Sequence, residues 1–280
     1  MPVYNSELYI NEAIDSILNQ TFTDFEFIII DDASTDKSVE IIQSFSDSRI
    51  QLIVKPQNSG YTNSLNYGLT IARGEYIARM DSDDISLPSR FEKQVAFLDN
   101  NLEYTLCGAQ YRVIGTNKIT KNPHTHEEIK VRLISECCIA HPSVMFRLNK
   151  MKEFGLKYNN EREPAEDYDL WLKLVFIGKI ANLNEVLLHY RVHENQVSVT
   201  RNLKQREFSN AIKFETLNKL DETLINDSIL FQDVLEAKIN DIENAYKILL
   251  KLEKLNSKKL IFNDKFFSDF IFKEKLQICK

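Results

Sequence analysis

Residues 79–88 read RMDSDDISLP and place Asp81, Asp83 and Asp84 within four positions, directly after the run EYIAR. Carboxylates this close raise one another's cost of ionisation, so a cationic group is expected among them. A divalent metal held at the end of a strand is one reading, because hard cations take oxygen ligands. The plainer one is an acidic turn closed by Pro88. A second acidic pair, Asp31-Asp32, follows the apolar run FEFIII.

The elements that must position these acids alternate. Segment 7–20 places Ile10, Ala13, Ile14, Ile17 and Leu18 on one helical face, FEFIII (25–30) reads as a buried strand, and Ser34, Thr35 or Asp36 can cap a helix over 37–46. RIQLIV (49–54) is the next strand. A helix over about 60–73 is expected to stop at Arg73-Gly74, and EYIAR is the strand after it. This is the pattern of βαβ units around a mostly parallel sheet, and it puts both acidic groups just past strand C-terminal ends, the edge where open α/β sheets bind ligands. Pro88 suits the first turn of a helix carrying Phe91, Val95 and Leu98. From 104 to about 195 the alternation loosens: YTLCGAQYRVIG and ANLNEVLLHYRV read as strands, and 166–177 as a helix that buries Trp171, Leu174 and Val175. A boundary near 198–203 then divides a domain over 1–200 from a helical extension over 201–280.

Composition narrows the function classes. The 280 residues are 43% hydrophobic and carry a net charge of -6, enough for a globular core and without an electrostatic footprint for nucleic acid. Cys107, Cys137, Cys138 and Cys279 show no metal-type spacing, and reduced thiols in a cytosolic protein fit best. No apolar run approaches the roughly 18–20 residues of a membrane span, and MPVYNSELY turns polar at once, unlike a signal peptide.

The motifs MPVYN, EAIDSILNQTFTDFEFIIIDDASTD, NSGYTNSLNYGLTIARGEYIARMDSDD, HPSVMF, AEDYDLWLKL and YRVHENQVS occur in that order from Met1 to about Thr200. Together they resemble the inverting, GT-A-fold glycosyltransferases of family 2. Members usually carry several more residues ahead of MPVYN, so either the start is misassigned or truncated, or the first strand is unusually short. The resemblance implies that Pro2, Tyr4 and Asp32 hold the nucleotide base. A carboxylate is a sensible partner for a uracil N–H, and a tyrosine can pack on a ring face. Asp81-Ser82-Asp83 matches the family's DXD motif, which implies Asp81 on the ribose side and Asp83 on Mg²⁺ or Mn²⁺ bridging the diphosphate, with Asp84 in support. AEDYD matches the segment whose catalytic base falls at Asp167, with Glu166 beside it leaving the microscopic assignment open. Such a base deprotonates the acceptor hydroxyl on the face opposite the leaving group. His193 resembles a position near the diphosphate, completing the metal shell or touching phosphate with Arg191 as counter-charge. His141 resembles a position on the acceptor side. Asn58, Gly60, Asn66 and Gly68 match a segment along the nucleotide, where ordinary loop and cap chemistry serves equally well.

The implied activity is transfer of a sugar from a nucleoside diphosphate sugar, UDP-linked by preference, to a saccharide or lipid-linked acceptor in the assembly of surface polysaccharide. A nucleotidyltransferase acting on sugar phosphates is the alternative, but it would carry a Gly-rich, basic phosphate loop early in the chain, which residues 1–20 lack. A non-catalytic nucleotide-sugar binder is a further alternative that would be expected to have lost Asp83 or Asp167. Residues 249–280 hold eight Lys against four acids, a local net of +4, interleaved with Phe262, Phe266, Phe267, Phe270 and Phe272. That segment suits either an anionic membrane surface on the cytoplasmic side, or packing on the catalytic domain or a second copy.

Overall fold

The computed structural model describes residues 1–220 and 242–278. Two sheets carry the architecture. In the first, β1 (Pro2–Val3), β2 (Phe27–Asp31) and β3 (Ile50–Val54) run parallel in spatial order. In the second, the order is β4 (Tyr76–Ala78), β7 (Met145–Arg147), β6 (Tyr104–Val113), β8 (Lys179–Tyr190) and β5 (Ile85–Ser86). There β6 and β8 pair in parallel and the other three pairings are antiparallel.

The helices follow the apolar periodicity. They are α1 (Ile10–Leu18), α2 (Ser38–Gln43), α3 (Tyr61–Ile71) and α4 (Arg90–Asn100), then α5 (His126–Arg132), α6 (Leu148–Glu153) and α7 (Glu166–Leu174). Ile10, Ala13, Ile14 and Ile17 of α1 are buried with Ile29 of β2 and Phe91 and Leu98 of α4. Trp171, Leu174 and Val175 are buried in a second cluster with Phe146 and Leu106. The close approach of α3 to the first sheet rests on Gly68, where a Cβ would stand 3.2 Å from Ile30 Cδ1.

Several local expectations are corrected. Asp31 closes β2 by pairing with Val3 and Val54 instead of following the strand. No side chain caps α2 at its cap residue Lys37; Asp36 instead accepts from Ser38 N at 2.9 Å. Helix α3 ends at Ala72, which turns to extended backbone, so Gly74 is not the stop. Pro88 lies ahead of the α4 cap residue Ser89, and its carbonyl accepts from Thr21 N at 2.9 Å.

Strand β1 is two residues long, with Met1 N and Met1 O bonded to Ile28 O and Ile30 N, both at 2.9 Å. A cavity of about 610 Å³ lies where β2 and β4 face each other without pairing, lined by Phe27, Ile30, Leu69, Ile77, Arg79 and Arg90 among others. It is separate from the acidic cluster at residues 81–84.

After β8 come α8 (Val197–Thr200), α9 (Asn202–Leu220), α10 (Ile242–Lys259) and α11 (Asp264–Ile278). Ile212 of α9 is buried in the Trp171 cluster, and Phe208 packs against it. Leu249, Leu252 and Leu255 of α10 bury against Phe262 and against Phe267, Phe270 and Ile271 of α11, together with Val131 of α5. Of the interleaved phenylalanines, Phe272 alone is strongly exposed, at 63%. Cys107, Cys137 and Cys138 are free thiols, and Cys279 lies outside the described residues.

Candidate active site

Strand β4 delivers the acidic loop, and three elements fix its path. Arg90 of α4 donates to Arg79 O at 2.6 Å, Ser6 and Ser82 share a hydroxyl hydrogen bond at 2.7 Å, and Arg191 N donates to Asp84 Oδ1 at 2.9 Å. The carboxylates of Asp81, Asp83 and Asp84 each present an oxygen within 4.8 Å of the others. Burial, then their mutual repulsion, raises the pKa of Asp83, and raises that of Asp84 well above its ordinary value. A cation expected among them is present, with Arg79 Nη1 2.5 Å from Asp81 Oδ2, and His193 Nε2 shares a hydrogen bond with Asp83 Oδ2 at 2.8 Å. The fully buried Asp84 Oδ2 has no hydrogen-bond partner. Three crowded carboxylates with one orphaned oxygen form a hard-oxygen donor set that fits Mg²⁺ or Mn²⁺.

Arg191 is largely committed to this loop. Its Nε donates to Asp83 O at 2.8 Å, its Nη2 meets Glu12 Oε2 at 2.5 Å, and its guanidinium lies over the Tyr9 ring, 4.8 Å from the centroid. It therefore ties α1 to the acidic turn. His193 also packs on Tyr9, with ring centroids 4.9 Å apart.

At the ends of β1 and β2 two non-glycine residues have left-handed backbone, Asn5 (φ 49) and Ala33 (φ 63). Such strain persists only where the surroundings over-determine it. Here Asn5 Oδ1 accepts from Thr35 N at 2.8 Å, and Asn5 N donates to Ser34 Oγ at 2.9 Å. Pro2 is buried and Tyr4 is half exposed, at 49%. Asp32 is buried and accepts from Lys55 Nζ at 2.6 Å, Gly60 N at 2.8 Å and Ser59 N at 3.1 Å. These donors outweigh desolvation and lower its pKa. Gly60, at φ +90, supplies the turn that aims its N–H at Asp32. Asn66 serves structure, bonding Tyr158 N and O, both at 2.9 Å.

The first turn of α7 carries Glu166 and Asp167. Glu166 is 2% exposed; its Oε2 accepts from Tyr61 OH at 2.9 Å, and its Oε1 is 3.7 Å from His141 Nδ1. Burial, followed by repulsion from Asp167, raises Glu166 to about 8, and burial raises Asp167 to about 6. Arg79 lies within electrostatic reach of both and favours their ionised forms. It therefore links the acidic loop to the α7 pair. His141 is buried, hydrogen-bonded through Nε2 to Tyr158 OH at 3.0 Å, and held neutral well below the usual histidine range by burial and then Arg79.

The structure thus gathers Asp81, Asp83, Asp84, Arg191 and His193 into one cluster, and Glu166, Asp167 and His141 into another joined to it through Arg79. Asp32 forms a third group with Lys55 and the start of α3. Sequence reading missed Lys55, Arg79 and Tyr61. Arg79 had a signal, since it is a cation two residues ahead of Asp81 at the end of a strand, whereas Lys55 has no acid beside it in sequence and its partner Asp32 is 23 residues away. Tyr61 had none, because its partner is 105 residues away.

The model of the family described as Glycosyl transferase family 2 matches residues 1–160, more than half of the chain. The chain belongs to glycosyl transferase family 2. It is 35% identical over 300 aligned residues to a glycosyltransferase of Haemophilus influenzae, covering 99% of this chain and 93% of that protein. It is 37% identical over 209 residues to the O-antigen biosynthesis glycosyltransferase WbnJ of Escherichia coli, covering 69% of this chain and 78% of WbnJ. Among solved structures, S. aureus TarS 1-349 in complex with UDP-GlcNAc superposes with a TM-score of 0.65 at 19% identity, over 99% of this chain and 87% of that one. The mannosyltransferase PcManGT of Pyrobaculum calidifontis, in complex with GDP-Man and Mn²⁺, gives 0.63 at 14% identity, over 99% and 84%. The fold of this family 2 glycosyltransferase is GT-A.

Proposed function

We propose that this glycosyltransferase moves a sugar, with inversion, from a nucleoside diphosphate sugar to a hydroxyl of a saccharide or lipid-linked saccharide. The observation that carries the reading is the link through Arg79 between a metal-competent acidic cluster and Asp167, a half-buried carboxylate whose pKa is about 6. A base with that pKa is ionised at neutral pH and still basic enough to take a proton as the acceptor attacks. Asp167 accepts the hydroxyl proton, the acceptor oxygen bonds to the anomeric carbon, and the bond to the diphosphate breaks with its electron pair leaving on phosphate oxygen. Asp83 and Asp81, supported by Asp84 and His193, would hold Mn²⁺ or Mg²⁺. When bound, such an ion supplies Lewis-acid stabilisation of the departing diphosphate. Pro2, Tyr4 and Asp32 form the base and ribose side together with Asp81, an incoming base N–H sharing Asp32 with Lys55 and Gly60. His141 is a neutral wall on the acceptor side, and Arg191 holds the loop.

UDP is preferred as the nucleotide, supported by the presence of UDP-GlcNAc in TarS and tempered by GDP-Man in PcManGT. WbnJ, named for O-antigen biosynthesis, supports a role in surface polysaccharide assembly; the setting proposed for this chain is the cytoplasmic face of a membrane. Residues 1–200 are taken as the catalytic domain and 201–280 as a helical extension. Among the described residues no helix is long and apolar enough to cross a membrane. Peripheral contact with an anionic membrane would rest on the lysines of the extension and on Phe272, since Phe262, Phe267 and Phe270 are buried. Self-association through that extension is the competing arrangement.

Calorimetric titration of UDP, with and without Mn²⁺, tests the site. Binding is expected only with metal, lost in Asp83→Ala and retained in Asp167→Asn, which in turn loses all turnover of a UDP-sugar. Absence of binding for UDP, GDP and dTDP alike in the wild type would sink the reading.

A further inference from the structure

The start of α3 touches both halves of the site. Ser59 N and Gly60 N, just ahead of the helix, donate to Asp32. The next residues are stitched to the segment that leads into α7. Thr62 N donates to Glu163 Oε2 at 3.2 Å, Asn160 Nδ2 donates to Asn63 Oδ1 at 2.7 Å, and Asn66 bonds the backbone of Tyr158. A Cβ at Gly60 would stand 3.1 Å from Glu163 Oε2, so the two segments are in close contact. Tyr61 is the residue in this seam whose side chain reaches the α7 carboxylates, through its bond to Glu166. Glu166 is almost fully buried, so water is poorly placed to replace the phenol.

We infer that Tyr61 is a positioning residue: by fixing Glu166 it sets the orientation of the first turn of α7 and hence of Asp167 towards the acceptor hydroxyl. This rests on the proposal that Asp167 is the base. The effect on protonation has a definite sign. A phenol donating to Glu166 favours its ionised form. Without the phenol Glu166 stays neutral to a pH above about 8, whereas Asp167, which titrates near 6 beside an already neutral Glu166, keeps its titration. The other groups facing the pair are Arg79, which lies after β4, Asp81, His141, Tyr158 and Cys137; Tyr61→Phe touches none of them.

The experiment compares the full chain with Tyr61→Phe and with Tyr67→Phe, which removes a phenol from the exposed side of the same helix. For Tyr61→Phe the expected results are a kcat lower by about tenfold, as for a misoriented base, and an unchanged KM for the nucleotide sugar. The acid limb of the kcat profile stays near pH 6, and the melting temperature holds. ¹³C-carboxyl titration should show Glu166 displaced to higher pH and Asp167 unmoved, and Tyr67→Phe should match wild type throughout. Unchanged kcat overturns the inference, whatever the Glu166 titration does. So does a loss of kcat accompanied by a lower melting temperature and unmoved carboxyl titrations, which is the signature of a purely structural tyrosine. A wild type that turns over no nucleotide sugar defeats the proposed function instead, and the carboxyl titrations then still decide whether Tyr61 governs Glu166.

Discussion

Two influences compete at Glu166 and Asp167. The N-terminus of α7 favours anions, by about 0.3–1 kcal/mol where exposed, whereas removing a carboxylate from water disfavours the charged form by several pKa units when burial is complete. The upward shifts, to about 8 and about 6, show that burial wins. Near pH 7, midway between the two values, the pair therefore carries close to one negative charge. Because the base must be ionised, the rate of sugar transfer should fall as pH drops through about 6, which an initial-rate pH profile would show directly. Stability runs the other way. Folded Glu166 keeps a proton that the unfolded chain releases above its ordinary value of 4.5, so its contribution weakens as pH rises from about 4.5 to about 8. Glu166→Gln should accordingly gain more in melting temperature over wild type at pH 8.5 than at pH 5, as read by calorimetric scans at the two pH values.

At the scale of elements, the site depends on a few long-range ties between segments that have little structure of their own. Arg191 joins α1, the acidic turn and the end of β8 by donating to Glu12, Asp83 O and Asp84. Arg191→Ala keeps the backbone bond to Asp84 and loses the rest. It is expected to cost about 1.5–3 kcal/mol, the range for hydrogen bonds to charged groups, and to weaken Mn²⁺-dependent UDP binding; urea unfolding and calorimetry measure the two effects. The β6–β8 pairing has a tight point of another kind. A Cβ on Gly108 would stand 2.3 Å from Asn182 Oδ1, and Asn182 donates to both Pro123 O and Cys138 O. Gly108→Ala must displace this bridge, and overpacking of about 1–3 kcal/mol should appear as an earlier urea midpoint.

For the whole molecule, the basic and aromatic extension becomes a covering layer. Phe267 stacks on Phe262 with centroids 5.2 Å apart and is 3% exposed, within the cluster that includes Val131 of α5. Phe267→Ala should cost roughly 3–5 kcal/mol, the usual range for a buried phenylalanine. Amide exchange should then accelerate in α5 as well as in α10 and α11, while remaining unchanged in the β1–β3 sheet.

The order of strands and helices, and the placement of Asp32 and Asp81–Asp84 near strand ends, were legible in the sequence because apolar periodicity and β-branched runs act over a few residues. The AEDYD and YRVHENQVS segments were legible as motifs. Helix ends were read less well: Ser34, Gly74 and Pro88 are suitable cap or stop residues by type, yet the chain turns at Lys37, Ala72 and Ser89, where contacts with neighbouring segments set the backbone. Tertiary structure alone decided which oxygens are occupied and which are orphaned, that Lys55 meets Asp32, that Arg79 links Asp81 to the α7 pair, and that Tyr61 holds Glu166. The physical reason is that desolvation and charge pairing depend on which groups are neighbours in space, and these neighbours are brought together from distant parts of the chain.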